Sequence, residues 1–204
     1  MTYKIFRAVG NRCAVILGCL GLHLSDSEAL EQLRLKGFKK VEVDLISLAR
    51  QCIGKSQFVR GAKMCLAPEI IDCASFTKWL YAHLGIWLPR RSVQQRDFGF
   101  PIELKYIVAN DLIFTTGIKN YNNGNDGHRI GHVGIATGEG TIVHAASKEL
   151  GIIESPIESF VIEVKFRGIR RYLPKGLPVI TFEIPPEIEV ETSDDIKWLL
   201  MPAS

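Results

Sequence analysis

His132-Val133-Gly134-Ile135-Ala136-Thr137, then Gly138-Glu139-Gly140, then Thr141-Ile142-Val143-His144-Ala145-Ala146 is the stretch on which the fold turns. The outer runs are β-rich, and the glycine-flanked centre has the composition of a three-residue hairpin loop. Such a loop places Thr137 opposite Thr141. Counting back places Gly134 opposite His144, so His132 becomes the diagonal neighbour of His144 on one face, with Cβ atoms roughly 7 Å apart. A two-residue loop would throw the rings onto opposite faces, because side chains alternate along a strand. The odd loop length lets one histidine orient the other.

Further short β-rich runs at 112–115, 151–154 and 165–171 surround this hairpin, separated by turn residues. Residues 117–131 are rich in asparagine and glycine and read as a mobile loop. Upstream the texture is helical. Ser25 and Glu28 stand at capping-box spacing for a helix that runs to about Leu35 and stops at Gly37. Leu45, Leu48, Ala49 and Cys52 recur at the spacing of one buried helical face over 44–52. The clearest helix runs over 72–84 and is closed by Gly85. Helices first and strands afterwards predict an α+β fold, with helices packed on a small antiparallel sheet. From Pro174 onward, prolines at 174, 178, 185, 186 and 202 predict an extended tail over the surface, in which Trp198-Leu199-Leu200 can dock.

The 204 residues suffice for one good core plus extensions. A hydrophobic share of 47% and a charged share of 23% are ordinary for a globular chain. The formal charge of +3 is small and scattered, which gives nucleic-acid binding no support. Lys39 and Lys40, Arg90 and Arg91, and Arg170 and Arg171 read as solvated or locally paired. Lys4, Arg7 and Arg12 precede the apolar run 13–22, a weak match to a secretory start. That run is far short of the roughly 20 residues of a spanning helix. No integral membrane span is expected; export and cytoplasmic residence both stay open.

The five cysteines (13, 19, 52, 65 and 73) form no C-x-x-C pair, and an odd count cannot close completely into disulfides. Cys52 and Cys65 read as buried structural thiols. Neither a metal site nor a cofactor is expected, because clustered ligands are absent. Cys73 differs, because it opens the helix at 72–84 within Ile71-Asp72-Cys73-Ala74-Ser75-Phe76. Asp72 suits the N-cap, and Ile71 and Phe76 occupy the positions of a hydrophobic staple. The helix dipole favours a thiolate at Cys73, Asp72 opposes it, and a nearby imidazolium is expected to be the larger influence. A single thiol with distant histidines is the arrangement a cysteine nucleophile needs. A buried cysteine at a helix start is the competing reading of Cys73 alone.

The remaining histidines carry less. His128, among glycines, is a loop residue at a cleft rim and no zinc ligand. His83 lies off the cysteine's face and reads as solvated, and His23 has no context. Arg90 and Arg91 follow Pro89 in a loop bordering the cleft, where they either attract carboxylates of an acidic peptide or remain a solvated pair.

Phe58-Val59-Arg60-Gly61-Ala62, Asp72-Cys73-Ala74-Ser75-Phe76, Leu88-Pro89-Arg90-Arg91-Ser92-Val93-Gln94-Gln95, Asp111-Leu112-Ile113-Phe114, His132-Val133-Gly134-Ile135, His144-Ala145 and Phe166-Arg167-Gly168-Ile169-Arg170-Arg171 come in an order that resembles the NlpC-type cell-wall peptidases. These are papain-like cysteine peptidases. The resemblance covers about residues 44–173 and implies a catalytic domain at 41–175, an N-terminal extension at 1–40, partly helical, and a proline-rich tail at 176–204. It implies Cys73 as nucleophile, His132 as general base and then acid, and His144 as the residue that orients His132. The implied reaction is hydrolysis of a peptidoglycan stem-peptide amide, between D-glutamate and a diamino acid, in the cell envelope or outside the cell. Phe58, Asp72, Ser75 and Arg90 are the expected substrate-binding positions.

Several positions depart from the family, those at 58, 74 and 75 bearing on specificity. Ala74 and Ser75 stand where serine and glycine are usual, Phe58 stands for a tyrosine, and Asn110 for a glycine. The loop before His132 is also longer than usual. A thiol amidase or acyltransferase on another substrate, and a non-catalytic binding module of the same fold, remain alternatives.

Overall fold

The computed structural model describes residues 6–118 and 129–201. His128 and the asparagines of the expected loop fall within 119–128, outside the described residues. In chain order the elements are β1 (Arg12–Val15), α1 (Asp26–Leu35), β2 (Lys39–Val41), α2 (Leu45–Gln51), β3 (Gln57–Phe58), β4 (Ile70–Ile71), α3 (Cys73–His83) and α4 (Ser92–Phe98). Then follow β5 (Phe100–Ile102), β6 (Leu112–Thr115), β7 (His132–Ala136), β8 (Thr141–Ser147), β9 (Gly151–Pro156), β10 (Phe166–Arg171), β11 (Ile180–Glu183) and α5 (Ser193–Leu200). The fold is α+β, as expected. The chain divides into two compact units, one of Asp44–Leu80 and Leu88–Leu173, the other of Met1–Val43, Tyr81–Trp87 and Pro174–Ser204.

The larger unit is built on a six-stranded sheet ordered β5-β10-β6-β7-β8-β9, antiparallel between all neighbours. Ile113, Ala136, Ile142, Phe160 and Ile169 form a buried cluster in it. The hairpin has the expected parity: Ile135 faces Val143, Ala136 faces Ile142, and the Thr137 amide donates to the Thr141 carbonyl at 3.0 Å. Strand β9 runs two residues beyond the expected end, to Pro156. Asp44 caps α2 by accepting from the Ile46 and Ser47 amides, both at 3.0 Å. Arg50 on α2 then reaches Glu139 in the hairpin loop at 2.5 Å and Glu154 on β9 at 2.9 Å.

Fully buried Gln95 ties α3 to the segment before α4. Its amide donates to the carbonyls of Ala74 (2.9 Å) and Pro89 (3.0 Å) and accepts from the Thr77 hydroxyl (2.9 Å). The Tyr172 hydroxyl donates to the Gln95 carbonyl. Asn110, expected to depart from a glycine, adopts a left-handed backbone with φ 73°. Asparagine is one of the few L-residues that visit this region routinely, so the exchange keeps the turn.

The smaller unit holds a three-stranded sheet ordered β1-β11-β2, antiparallel throughout. Its buried core draws on β1, α1, β11, α5 and the segments between them, and includes Cys13, Leu33, Phe38, Phe182 and Ile196. The expected extended tail is therefore corrected, since β11 takes the central strand position and α5 packs into this core. Pro174 and Pro178 precede β11, and Pro185 and Pro186 fall between β11 and α5, so none of the four interrupts either element. Thr192 and Asp195 form a capping box that starts α5. The apolar run 13–22 supplies β1 and core residues Leu17 and Leu20. No described helix is long and apolar enough to cross a membrane.

Gly85 follows α3 with φ 72°, and a Cβ there would lie 2.5 Å from the Cys13 backbone. Two further expectations need correction. Cys65 is exposed, on a single 3-10 turn with no buried residue, whereas Cys52 is buried as expected. His83 is partly buried, not solvated: its Nδ1 stands 3.2 Å from Arg12 Nη1, which also donates to the His83 carbonyl at 2.9 Å.

Asp111 and Arg171 form a buried bidentate pair that clamps the start of β6 to the end of β10, at 2.6 and 2.8 Å. Asp111 also accepts from the Val108 amide at 2.9 Å. Truncating Asp111 leaves the Arg171 charge buried without its carboxylate, although Nη2 still donates to the Tyr106 carbonyl at 2.7 Å. Asp111→Ala should lower unfolding free energy by about 3 kcal/mol or more, measured by urea denaturation.

Candidate active site

Cys73 sits in the first turn of α3, where backbone amides have no partner within the helix. Asp72 before it is held from several sides. Its Oδ1 accepts from the Ser75 amide (2.8 Å) and Arg90 Nη1 (3.1 Å). Its Oδ2 accepts from the Gly61 amide (2.8 Å) and Arg90 Nη2 (2.6 Å). In return the Ser75 hydroxyl accepts from the Asp72 amide at 2.8 Å. Burial pushes the Asp72 carboxyl up, but the Arg90 guanidinium and the two amides outweigh it, leaving the group below its ordinary value.

The Cys73 sulfur meets the sheet at the head of β7. The thiol donates to the Gly131 carbonyl at 4.0 Å, and the Val133 amide also bonds to the sulfur. The residue between these two contacts is His132. Its Nε2 lies 2.9 Å from His144 Nδ1, with ring centroids 5.0 Å apart and planes at 79°. His144 Nε2 in turn lies 3.0 Å from Ser155 Oγ. Phe160 closes the back of the pair, stacked on His132 at 5.7 Å and edge-on to His144 at 4.8 Å. Gly134 makes room: a Cβ there would lie 2.4 Å from Ile142 Cγ2 and 3.0 Å from His144 Cβ.

Burial shapes the electrostatics. It pushes the Cys73 thiol up to about 11, helped by the Asp72 charge, while the Val133 and Ala74 amides and the Arg60 charge pull the other way. The Ala74 amide at the helix start does favour thiolate, but burial outweighs it, and the imidazolium expected to be the larger influence is not formed, because His132 is held neutral. The resting thiol is raised and not lowered. His132 is held down at about 3 by burial and then by His144, and His144 at about 4 by burial. The uncharged forms of all three groups are therefore favoured.

A cleft of about 530 Å³ opens over these groups, lined among others by Phe58, Asp72, Cys73, Arg90, His132 and His144. Ser75, expected to hold substrate, is fully buried at the helix start and outside that lining, because its hydroxyl is used in capping. Arg90 is neither solvated nor simply poised for a ligand: besides Asp72 it donates to the Ala62 carbonyl at 2.7 Å. Phe58 is placed beside the start of α3 by the parallel pairing of β3 and β4, with Phe58 opposite Ile71. Among the described residues no cluster of three or more His, Cys, Asp or Glu side chains is placed to hold a metal ion. The sequence reading missed Ser155 and Phe160. Ser155 was within reach of strand alternation, had β9 been carried past Glu154.

A thiol at a helix start, set against an antiparallel sheet that carries paired imidazoles, defines a papain-like α+β domain. The model of the NlpC/P60 family matches residues 54–171, more than half of the chain, and the chain belongs to that family. It is 30% identical over 115 residues to a probable endopeptidase of Corynebacterium glutamicum, covering 56% of this chain and 47% of that one. It is 29% identical over 103 residues to a γ-D-glutamyl-L-lysine dipeptidyl-peptidase of Bacillus cereus, covering 50% of this chain and 29% of that one. A solved NlpC/P60 family protein from Bacillus cereus aligns with TM-score 0.54 at 25% identity, covering 64% of this chain and 40% of that one. The chain spans less than half the length of each of these relatives.

Both histidines bind a proton more weakly folded than unfolded, where the ordinary value is 6.5. The stability their neutral burial contributes is complete above about pH 6.5 and is lost as pH falls toward 4 and then 3. A His144→Gln variant should therefore show a shallower fall of Tm between pH 6.5 and 4 than the wild type. Parallel Tm curves would contradict this assignment.

Proposed function

We propose that the protein is a cysteine peptidase that hydrolyses an amide bond in peptidoglycan stem peptides, with Cys73 as nucleophile. The observation that carries this reading is the convergence at the head of β7, where the Cys73 sulfur contacts the backbone on both sides of His132. His144 holds His132 through Nε2, so the base in this reading is Nδ1.

The steps follow from these atoms. His132 Nδ1 takes the thiol proton as sulfur attacks the amide carbonyl, so two charges that burial disfavours singly arise together as a pair. The amide of Cys73, at the helix start, donates to the oxyanion as it forms. His132 then passes its proton to the leaving amine, the carbon–nitrogen bond breaks, and a thioester remains. Water attacks the thioester while giving a proton to His132. Collapse releases the acid product and returns the proton to sulfur.

The bond class is supported by the names of the relatives: an endopeptidase, and a peptidase acting on a γ-D-glutamyl-L-lysine bond, which joins D-glutamate to a diamino acid. The cleft agrees with an acidic peptide. Among the described residues its lining holds Arg60, Arg90 and Arg91 against one carboxylate, Asp72, which Arg90 already offsets. With Phe58 in the wall, that side of the cleft offers an aromatic face and no hydroxyl.

Mass spectrometry of muropeptides incubated with wild type and with Cys73→Ala tests nucleophile and bond together. Fragments cut between D-glutamate and the diamino acid should appear only with the wild type. Equal release by the variant would remove the proposal. Gly134→Ala should displace His144 from His132 and lower kcat by about tenfold or more with KM little changed, read by steady-state kinetics on the released fragment.

A further inference from the structure

We propose that Ser155 is a positioning residue for the imidazole pair: it fixes the tautomer of His144 and, through His144, that of His132. The inference rests on the reading of His132 as the base. A neutral imidazole has one donor nitrogen and one acceptor nitrogen. For His132 to take the thiol proton, its Nδ1 must be bare and its hydrogen must sit on Nε2. That hydrogen is donated across 2.9 Å to His144 Nδ1, which must be bare in turn. His144 then carries its own hydrogen on Nε2 and needs an acceptor there. Ser155 Oγ, 3.0 Å away, fills that role with its own hydrogen turned away from the ring, since a hydroxyl can accept as well as donate and the accepting orientation is the one a basic His132 Nδ1 requires.

The backbone register shows why this residue and not a neighbour takes the role. In the pairing of β8 with β9, His144 faces Ile153 and Ile142 faces Ser155. Ser155 is thus one diagonal step from His144 on the same face, as His132 is on the other side. Glu154, between them, points to the opposite face, where it binds Thr141 at 2.5 Å and Arg50 at 2.9 Å. Phe160 fixes the planes of both rings but has no acceptor atom to choose between tautomers. Ser155 lies outside the cleft lining, so it acts through His144 and not on substrate.

Losing the hydroxyl leaves the His144 Nε2 hydrogen without a partner in a buried ring. The cheaper tautomer then puts the hydrogen on Nδ1, where it opposes the one on His132 Nε2. His132 must rotate or exchange its own tautomer, and in either case Nδ1 no longer waits bare for the thiol proton.

Nitrogen-15 NMR of the imidazoles tests this without any substrate. In the wild type and in Ser155→Thr, His144 should be protonated at Nε2 and bare at Nδ1. Ser155→Ala should show the second tautomer. On the muropeptide cut by the wild type, Ser155→Ala should lower kcat about tenfold with KM unchanged, and Ser155→Thr should recover most of the loss. A wild-type His144 protonated at Nδ1, or a Ser155→Ala variant with wild-type tautomer and kcat, would overturn the proposal. A wild type that cuts no muropeptide would instead count against the proposed function, and the tautomer measurement would still decide the role of Ser155.

Discussion

The turn between β7 and β8 contains an odd number of residues, and side-chain alternation makes that number decisive. Thr137 and Thr141 close it, through the backbone at 3.0 Å and through their hydroxyls at 2.8 Å. With the parity set, His132 and His144 share a face. Neither ring could reach the other if the turn were one residue shorter. The diagonal step is then repeated across β8 and β9, so that three side chains on three strands make one line of hydrogen bonds. Gly134 lets that line form, since it is the residue that yields space beside His144. Arg50 reinforces the arrangement from α2 by holding both the hairpin loop and β9.

At the head of α3 the corresponding constraint is Asp72. Every lone-pair direction of its carboxylate is occupied by the Ser75 and Gly61 amides and by Arg90. The carboxylate therefore works chiefly as an anchor, locking the helix start and the preceding loop to one another. Its charge works against the thiolate, and the Arg90 guanidinium blunts that effect. Gln95 performs the same anchoring without charge, by joining the carbonyls of Ala74 and Pro89. The helix start that carries the proposed nucleophile is thus fixed by the side chains of Asp72, Arg90 and Gln95, in addition to the contacts the sulfur makes with the Gly131 carbonyl and the Val133 amide.

How much of this could be read from the sequence depended on whether the signal was local. The capping pair Ser25 and Glu28, the helix expected over 44–52, and the helix of Cys73 closed by Gly85 were all legible, because short-range spacing and hydrogen bonds determine them. The hairpin parity was legible because counting suffices. The smaller unit was not, since β11 pairs with β1 across nearly the whole chain and no local pattern records that pairing. Prolines at 185 and 186 read as breakers, yet they only separate β11 from α5. The charge state of the thiol was misjudged for a related reason. Helix position is visible in a sequence, whereas the burial that outweighs it is a property of the assembled cleft. Ser155 was missed because alternation in β9 was stopped one residue too early.

A thiol raised to about 11 is almost wholly protonated near neutral pH. Peroxides and other oxidants attack thiolate far faster than thiol. The resting sulfur is for that reason a poor target for conversion to sulfenic acid, although it is partly exposed in an open cleft. Burial that makes the proposed nucleophile harder to ionise would also protect it from oxidation while the cleft is empty.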